Sequence, residues 1–302
     1  MSPPRNKSGR QTGGRSAGFG VAGSLVLLLC CGRTGAGEPA PAGIAPGSTI
    51  LLTGSIDQAM LDYFNQQLQK SAATTVMIAS PGGDERIAMQ IAEAMQARGM
   101  DVVVHGLCLG TCAQYIFIAG HGRRIEDQAL VTFGNSASGM ASLLDVVGEN
   151  APRDFQPSTA WRDFVVLEKR MYQQAGVSQS FPLDVQAAMQ PSCITFTRNE
   201  GKLGGIEVAT SYKQWLPARQ YLDSIGIRFE GYWPRSRREM ERIANRLSAT
   251  RDKSELATLI RFGNEDRPRE AGEARFELKN LQKCALEDVG RPPVPVDGAA
   301  GN

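Results

Sequence analysis

Ser80-Pro81-Gly82-Gly83 and, one helix later, Gly106-Leu107-Cys108-Leu109-Gly110-Thr111-Cys112-Ala113 are the stretches that decide the fold. The first closes an apolar, β-favouring run, Thr74 to Ala79, and Asp84 behind it is placed to cap a helix. That helix carries Ile87, Ala88, Ile91, Ala94 and Met95 at the spacing of one face, and Gly99 stops it. Asp101 to His105 then reads as the continuous apolar strand of a buried parallel sheet. The second stretch leads from that strand into a helix expected from about Gly110 to Ala119.

Outward from this centre the same alternation continues. Thr49 to Thr53 is a strand ended by Gly54, and Asp57 caps a helix with Met60, Leu61, Phe64 and Leu68 on one face. Leu130 to Phe133 is a fourth strand. Such spacing predicts an α/β fold of βαβ units with right-handed crossovers. Residues 135–160 read as an irregular excursion. Helices are expected over Trp161–Ala175, Phe181–Met189, Gln214–Ser224 and Glu239–Leu247, and a strand over Ile194–Thr197. His121 with Gly122-Arg123-Arg124 reads as an exposed loop.

The chain has 302 residues, 42% of them apolar, enough for one sizeable core with appendages. Its formal net charge is +2, with Arg5, Lys7, Arg10 and Arg15 unopposed at the N-terminus and the remainder near neutral, so no nucleic-acid footprint is expected. A basic, Gly/Ser-rich start, an apolar run from Phe19 to Cys31 and small residues after it form a secretory signal pattern, with cleavage expected near Ala36 or Gly37. The run is short for a membrane span. An uncleaved anchor is the second reading, and lipidation of Cys30 or Cys31 the third, disfavoured by the Leu or Cys that precedes each. The expected division is therefore 1–47 signal and linker, 48–233 folded domain, and 234–302 a charged extension whose Pro/Gly/Ala-rich end is disordered. The expected location is periplasmic or secreted.

Export makes disulfides the natural state of Cys108, Cys112, Cys193 and Cys284, and the sequence leaves all three pairings open. A zinc centre is disfavoured by the two histidines, His105 and His121, and by the lack of a Cys-x-x-Cys. No metal or cofactor is expected.

The span Thr49–Ser136 resembles the Clp/crotonase superfamily, and within it the Clp proteolytic subunit and exported Clp-like proteins. The resemblance rests on Leu52-Thr53-Gly54-Ser55-Ile56-Asp57, Ile78-Ala79-Ser80-Pro81-Gly82-Gly83, Gly106-x-x-x-Gly110 with Cys108 and Cys112, and Ala119-Gly120-His121-Gly122-Arg123-Arg124. It implies a spiral core of ββα repeats with a helical appendage. It also implies assembly as a homo-oligomer, for which Trp161–Ala175 is the assigned piece. In that family the Gly82-Gly83 turn and the amide of the residue after the nucleophile, Thr111 here, would cradle an oxyanion. Gly82, Gly83 and Thr111 are the candidate binding residues. The same turn also serves as a tight strand-to-helix connection.

The resemblance places the nucleophilic serine at 110 and the catalytic histidine at Gly134 or Asn135, and this chain has neither residue there. Nucleophilic catalysis needs nucleophile, base and orienting group in contact. No catalytic residue is therefore assigned. The expectation is an exported Clp-like pseudopeptidase that binds a peptide or protein, or acts by assembly. A hydrolase using Thr111 or Cys112 with His105 is the alternative. A crotonase-like acyl-CoA enzyme is the third reading, disfavoured by export and by the lack of an acid where its base would stand.

Overall fold

Thr49–Thr53 (β1), Thr75–Ser80 (β2) and Asp101–Leu109 (β3) lie side by side in parallel, joined by Gln58–Lys70 (α1) and Glu85–Ala97 (α2). The computed structural model describes residues 48–147, 160–199, 202–248, 253–263 and 281–284. The expected signal and linker (1–47, with Cys30 and Cys31) and the Pro/Gly/Ala-rich end lie outside the described residues. Alternate residues of the three strands point into one core: Ile50, Leu52, Val76, Ile78, Val102 and Val104 are buried. Met60, Leu61, Phe64 and Leu68 of α1, and Ile87, Ala88, Ile91 and Met95 of α2, cover them. The caps fall where the sequence puts them. Asp57 Oδ1 accepts from Met60 N at 2.9 Å and Asp84 Oδ1 from Ile87 N at 3.0 Å.

Beyond β3 comes a helix whose central turn, Cys112–Phe117, is a π-helix. Arg123–Ile125 (β4) and Leu130–Thr132 (β5) follow. Both pair with β3, β4 against Val102–Val104 and β5 against Leu107–Leu109. The strand therefore serves two neighbours in succession, and the register shift between Ile78 and Ser80 of β2 marks where it bends.

The rest of the described chain runs Ala137–Val147 (α3), Ala160–Gln174 (α4), Phe181–Ala188 (α5), Pro191–Asn199 (β6), Lys202–Thr210 (β7), Gln214–Leu216 (β8) and Arg219–Ser224 (α6). Glu230–Gly231 (β9), Arg237–Leu247 (α7), Lys253–Thr258 (α8), Ile260–Phe262 (β10) and Gln282–Lys283 (β11) complete it. The main sheet has the order β1-β2-β3-β4-β9, all parallel. β6 and β7 form an antiparallel pair with β11 parallel to β6, and β8 pairs with β10. The protein is thus mixed α/β with a mostly parallel central sheet.

Four local readings change. Ala137–Val147, expected to be irregular, is helical because Ser136 caps it: Ser136 Oγ accepts from Gly139 N at 3.1 Å and its carbonyl from Met140 N at 2.9 Å. Residues 148–159 of the same expected excursion lie outside the described residues. Gln214–Ser224 is not one helix. Pro217 divides it into strand β8, bridged to Phe133 through Trp215, and the short α6. Arg123 and Arg124 form a strand rather than a loop. The Arg123 guanidinium donates to the carbonyls of Phe117 and, at 2.6 Å, Ile118, at the C-terminal end of the π-helical segment. Burial lowers its pKa to about 10, which leaves it charged at neutral pH. Lys202–Thr210, with no element assigned from sequence, is β7.

Residues after Pro234 contribute to the same core through Met240, Ile243, Ala244 and Ile260. Their i, i+3, i+4 spacing is hidden among charges in Arg237–Leu247. The described cysteines pair as Cys108–Cys112 and Cys193–Cys284. The first ties the end of β3 to the π-helix, the second ties β6 to β11. No helix among the described residues is long and apolar enough to cross a membrane.

Candidate functional site

The Pro81-Gly82-Gly83 turn lies against the end of β3 because only glycine fits there. A Cβ on Gly83 would stand 2.2 Å from Ile56 O, and one on Gly82 would stand 2.8 Å from Leu109 O. This contact brings the turn to Thr111, so the three candidate binding residues do meet. Their polar groups, however, answer one another. Gly83 N donates to Thr111 Oγ1 at 2.9 Å, and Thr111 Oγ1 lies 3.3 Å from Gly83 O. Gly82 N donates to the buried Ser80 Oγ at 3.1 Å. The amides of Gly82 and Gly83 are thus both engaged within the chain.

Gly110 stands one residue before Thr111, with φ +53°, in the left-handed region that favours glycine. Its amide is shared between Thr132 O at 2.9 Å and Gln214 Oε1 at 3.0 Å. Gly134 lies opposite: a Cβ there would be 3.2 Å from the Gly110 Cα and 3.2 Å from both polar atoms of the Gln214 carboxamide. A Cβ on Gly110 would be 3.3 Å from Gln214 Nε2. Gln214 Oε1 also accepts from Thr132 Oγ1 at 3.1 Å. Two glycines thus face each other across a space that one carboxamide fills.

The groups named for a relocated nucleophile are dispersed. His105 Nδ1 pairs with Glu126 Oε2, on the exposed side of β3. Thr111 Oγ1 is engaged by Gly83, and Cys112 is fully buried in its disulfide. His121 lies 3.7 Å from Asp101 at the surface. Among the described residues no group of three or more His, Cys, Asp or Glu is placed to hold a metal. Tyr172, Trp215 and Trp233 are buried packing residues. Side-chain contacts of Trp161 lie outside the described residues.

The sequence does not single out Gln214. It lies 104 positions from its partner Gly110, at the start of a three-residue strand, and no spacing rule connects them. A second unforeseen link runs through Tyr115. Its buried hydroxyl donates to Glu85 Oε1 and accepts from Ala137 N at 3.1 Å, joining the first turn of α2, the π-helix and the entry to α3. Burial raises the Glu85 carboxyl above the usual range and the Tyr115 phenol well above its own.

No family model matches the chain, and no curated protein matches it significantly.

Proposed function

We propose that the protein is an exported, Clp-like pseudopeptidase, a spiral ββα fold of the Clp/crotonase kind that has lost hydrolysis and works by binding a peptide or protein, or by assembly. One observation carries the reading. Gly110 and Gly134, the positions the resemblance gives to nucleophile and base, lie within contact of each other with Gln214 between them. Substitution at either position alone would be an isolated change. Their joint replacement and the filled gap are what a binding protein built on a former catalytic frame would have.

Support for binding comes from a groove of about 770 Å³ lined by Pro217, Arg219, Tyr232, Trp233, Arg235 and Phe262, a mix of apolar, aromatic and cationic groups suited to a peptide chain. Arg219 is held over the Phe229 ring at 4.6 Å and donates to Phe229 O at 2.8 Å, so one wall of the groove is preorganised. The disulfides favour an oxidising compartment.

The test is fluorescence anisotropy with a library of labelled peptides, followed by mass analysis of each recovered peptide. Binding that weakens in Arg235→Ala, an exposed side chain on the groove, with every peptide recovered intact, is the expected result. Cleavage of a peptide by the wild-type protein, abolished in His105→Ala, would overturn it.

A further inference from the structure

A second polar cluster lies beneath α3. Glu168 of α4, Gln114 of the π-helix and Gln186 of α5 are each at most 1% exposed, and Tyr172 and Ser136 are buried beside them. The pieces are contiguous. Glu168 Oε2 accepts from Ser138 N at 2.6 Å, and the Ser136 and Ser138 hydroxyls stand beside the same carboxylate. Tyr172 OH accepts from Gln114 Nε2 at 2.6 Å and also neighbours Glu168. Gln186 Oε1 and Ser136 Oγ lie 3.1 and 3.2 Å from one point, the place a Cβ on Gly139 would take.

This cluster is not satisfied by the chain. Among the described residues, seven buried side-chain polar atoms lack a hydrogen-bond partner, and five of them are here: Gln114 Oε1, Glu168 Oε1, Ser138 Oγ and both polar atoms of Gln186. Buried polar groups in proteins are nearly always paired. Left alone, these five together would offset a large part of a domain's net stability. Four of the five are oxygens. The groups acting on Glu168 are Glu85 on α2, the two serines of α3 and, through their own titration, Tyr115 and Tyr172; none is a cation.

We propose that this cluster binds one alkali-metal cation, held by Glu168 Oε1, the carboxamide oxygens of Gln114 and Gln186, and the Ser138 hydroxyl. Carboxylate, amide and hydroxyl oxygens suit hard cations, and the lack of nitrogen and sulfur donors disfavours zinc and copper. The charge is monovalent because one buried charge needs an answer. Glu85 Oε1 accepts from the Tyr115 hydroxyl, whereas Glu168 Oε1 has no hydrogen-bond partner. Water could pair the oxygens but would leave that charge unbalanced.

The experiment compares thermal unfolding in sodium, potassium, calcium and N-methylglucamine chlorides at equal ionic strength. A melting temperature several degrees higher in sodium or potassium than in N-methylglucamine, the difference vanishing in Glu168→Gln, is expected. Sodium-23 NMR on the unmodified protein reads the site without any variant: excess relaxation that saturates with sodium concentration is expected. Equal melting in sodium, potassium and N-methylglucamine, with no excess relaxation, would overturn the proposal and leave water as the occupant. A shift produced by calcium alone would overturn the assigned charge.

Discussion

Gln214 Oε1 accepts a hydrogen bond from the Gly110 amide at 3.0 Å, and the same oxygen accepts from Thr132 Oγ1 at 3.1 Å. One side chain from β8 thereby closes the end of β3 and the end of β5 together. Gln214→Ala strands the Thr132 hydroxyl, which is fully buried. The expected cost is ~1–3 kcal/mol of unfolding free energy, measured by urea titration, with no hydrolase activity gained. Unchanged stability would show that water replaces the carboxamide without penalty.

Serine at 110 is predicted to be tolerated poorly and to do nothing. Gly110→Ser puts a Cβ on a residue with φ +53°, at ~1–2 kcal/mol, and 3.3 Å from Gln214 Nε2. Gly134 offers it no base. Denaturation and ester-hydrolysis assays on the variant check both halves. A Gly110→Ser protein that hydrolyses esters would place a base where none is identified.

The Thr111 hydroxyl is the partner of the Gly83 amide. Thr111→Val removes that partner at nearly constant volume and should cost about 1 kcal/mol, while Thr111→Ser should keep most of the stability. Equal loss in both variants would mean that the methyl group, not the hydroxyl, secures the turn.

Much of this frame is readable from the sequence. Asp57 and Asp84 announce their helices because capping is local chemistry, and Thr75–Ser80 and Asp101–Leu109 announce themselves through apolar runs. The assignment of nucleophile and base to 110 and 134 rests on the resemblance and not on these elements. What is not readable depends on distant partners. Gln214 acquires its role from a residue 104 positions away. α3 is a helix of small residues whose standing comes from Ser136 and from packing on α4 and α5, not from propensity. Gly82, Gly83 and Thr111 lie together in the fold, yet the bond between Gly83 and Thr111 is a matter of side-chain rotamer that spacing does not report.

Stability should depend on pH through Glu168. Its folded pKa, about 7, lies above the ordinary carboxyl value of 4.5 because burial disfavours the charged form. The folded state therefore holds a proton that the unfolded state has released. The contribution is fully present below pH 4.5 and is lost as pH rises to about 7, by ~3 kcal/mol in the absence of a bound cation. Glu168→Gln should flatten this part of the profile. A wild-type curve measured in N-methylglucamine chloride that is flat or rising across the window would contradict the assignment.

The two disulfides should differ in accessibility. Cys108 and Cys112 are fully buried, whereas Cys193 and Cys284 are partly exposed. Stepwise reduction with alkylation and peptide mapping is predicted to mark Cys193 and Cys284 first. Their bridge spans 91 positions, and its loss should cost ~4–5 kcal/mol on the chain-entropy model.

On the proposed reading Gly110 and Gly134 stand in place of a catalytic pair, and no neighbouring group acts for them. Incubating the purified wild-type protein with a fluorophosphonate probe and reading its intact mass distinguishes this from a working hydrolase. No covalent adduct is expected. A stoichiometric adduct at a single hydroxyl, Thr111 above all, would refute the reading.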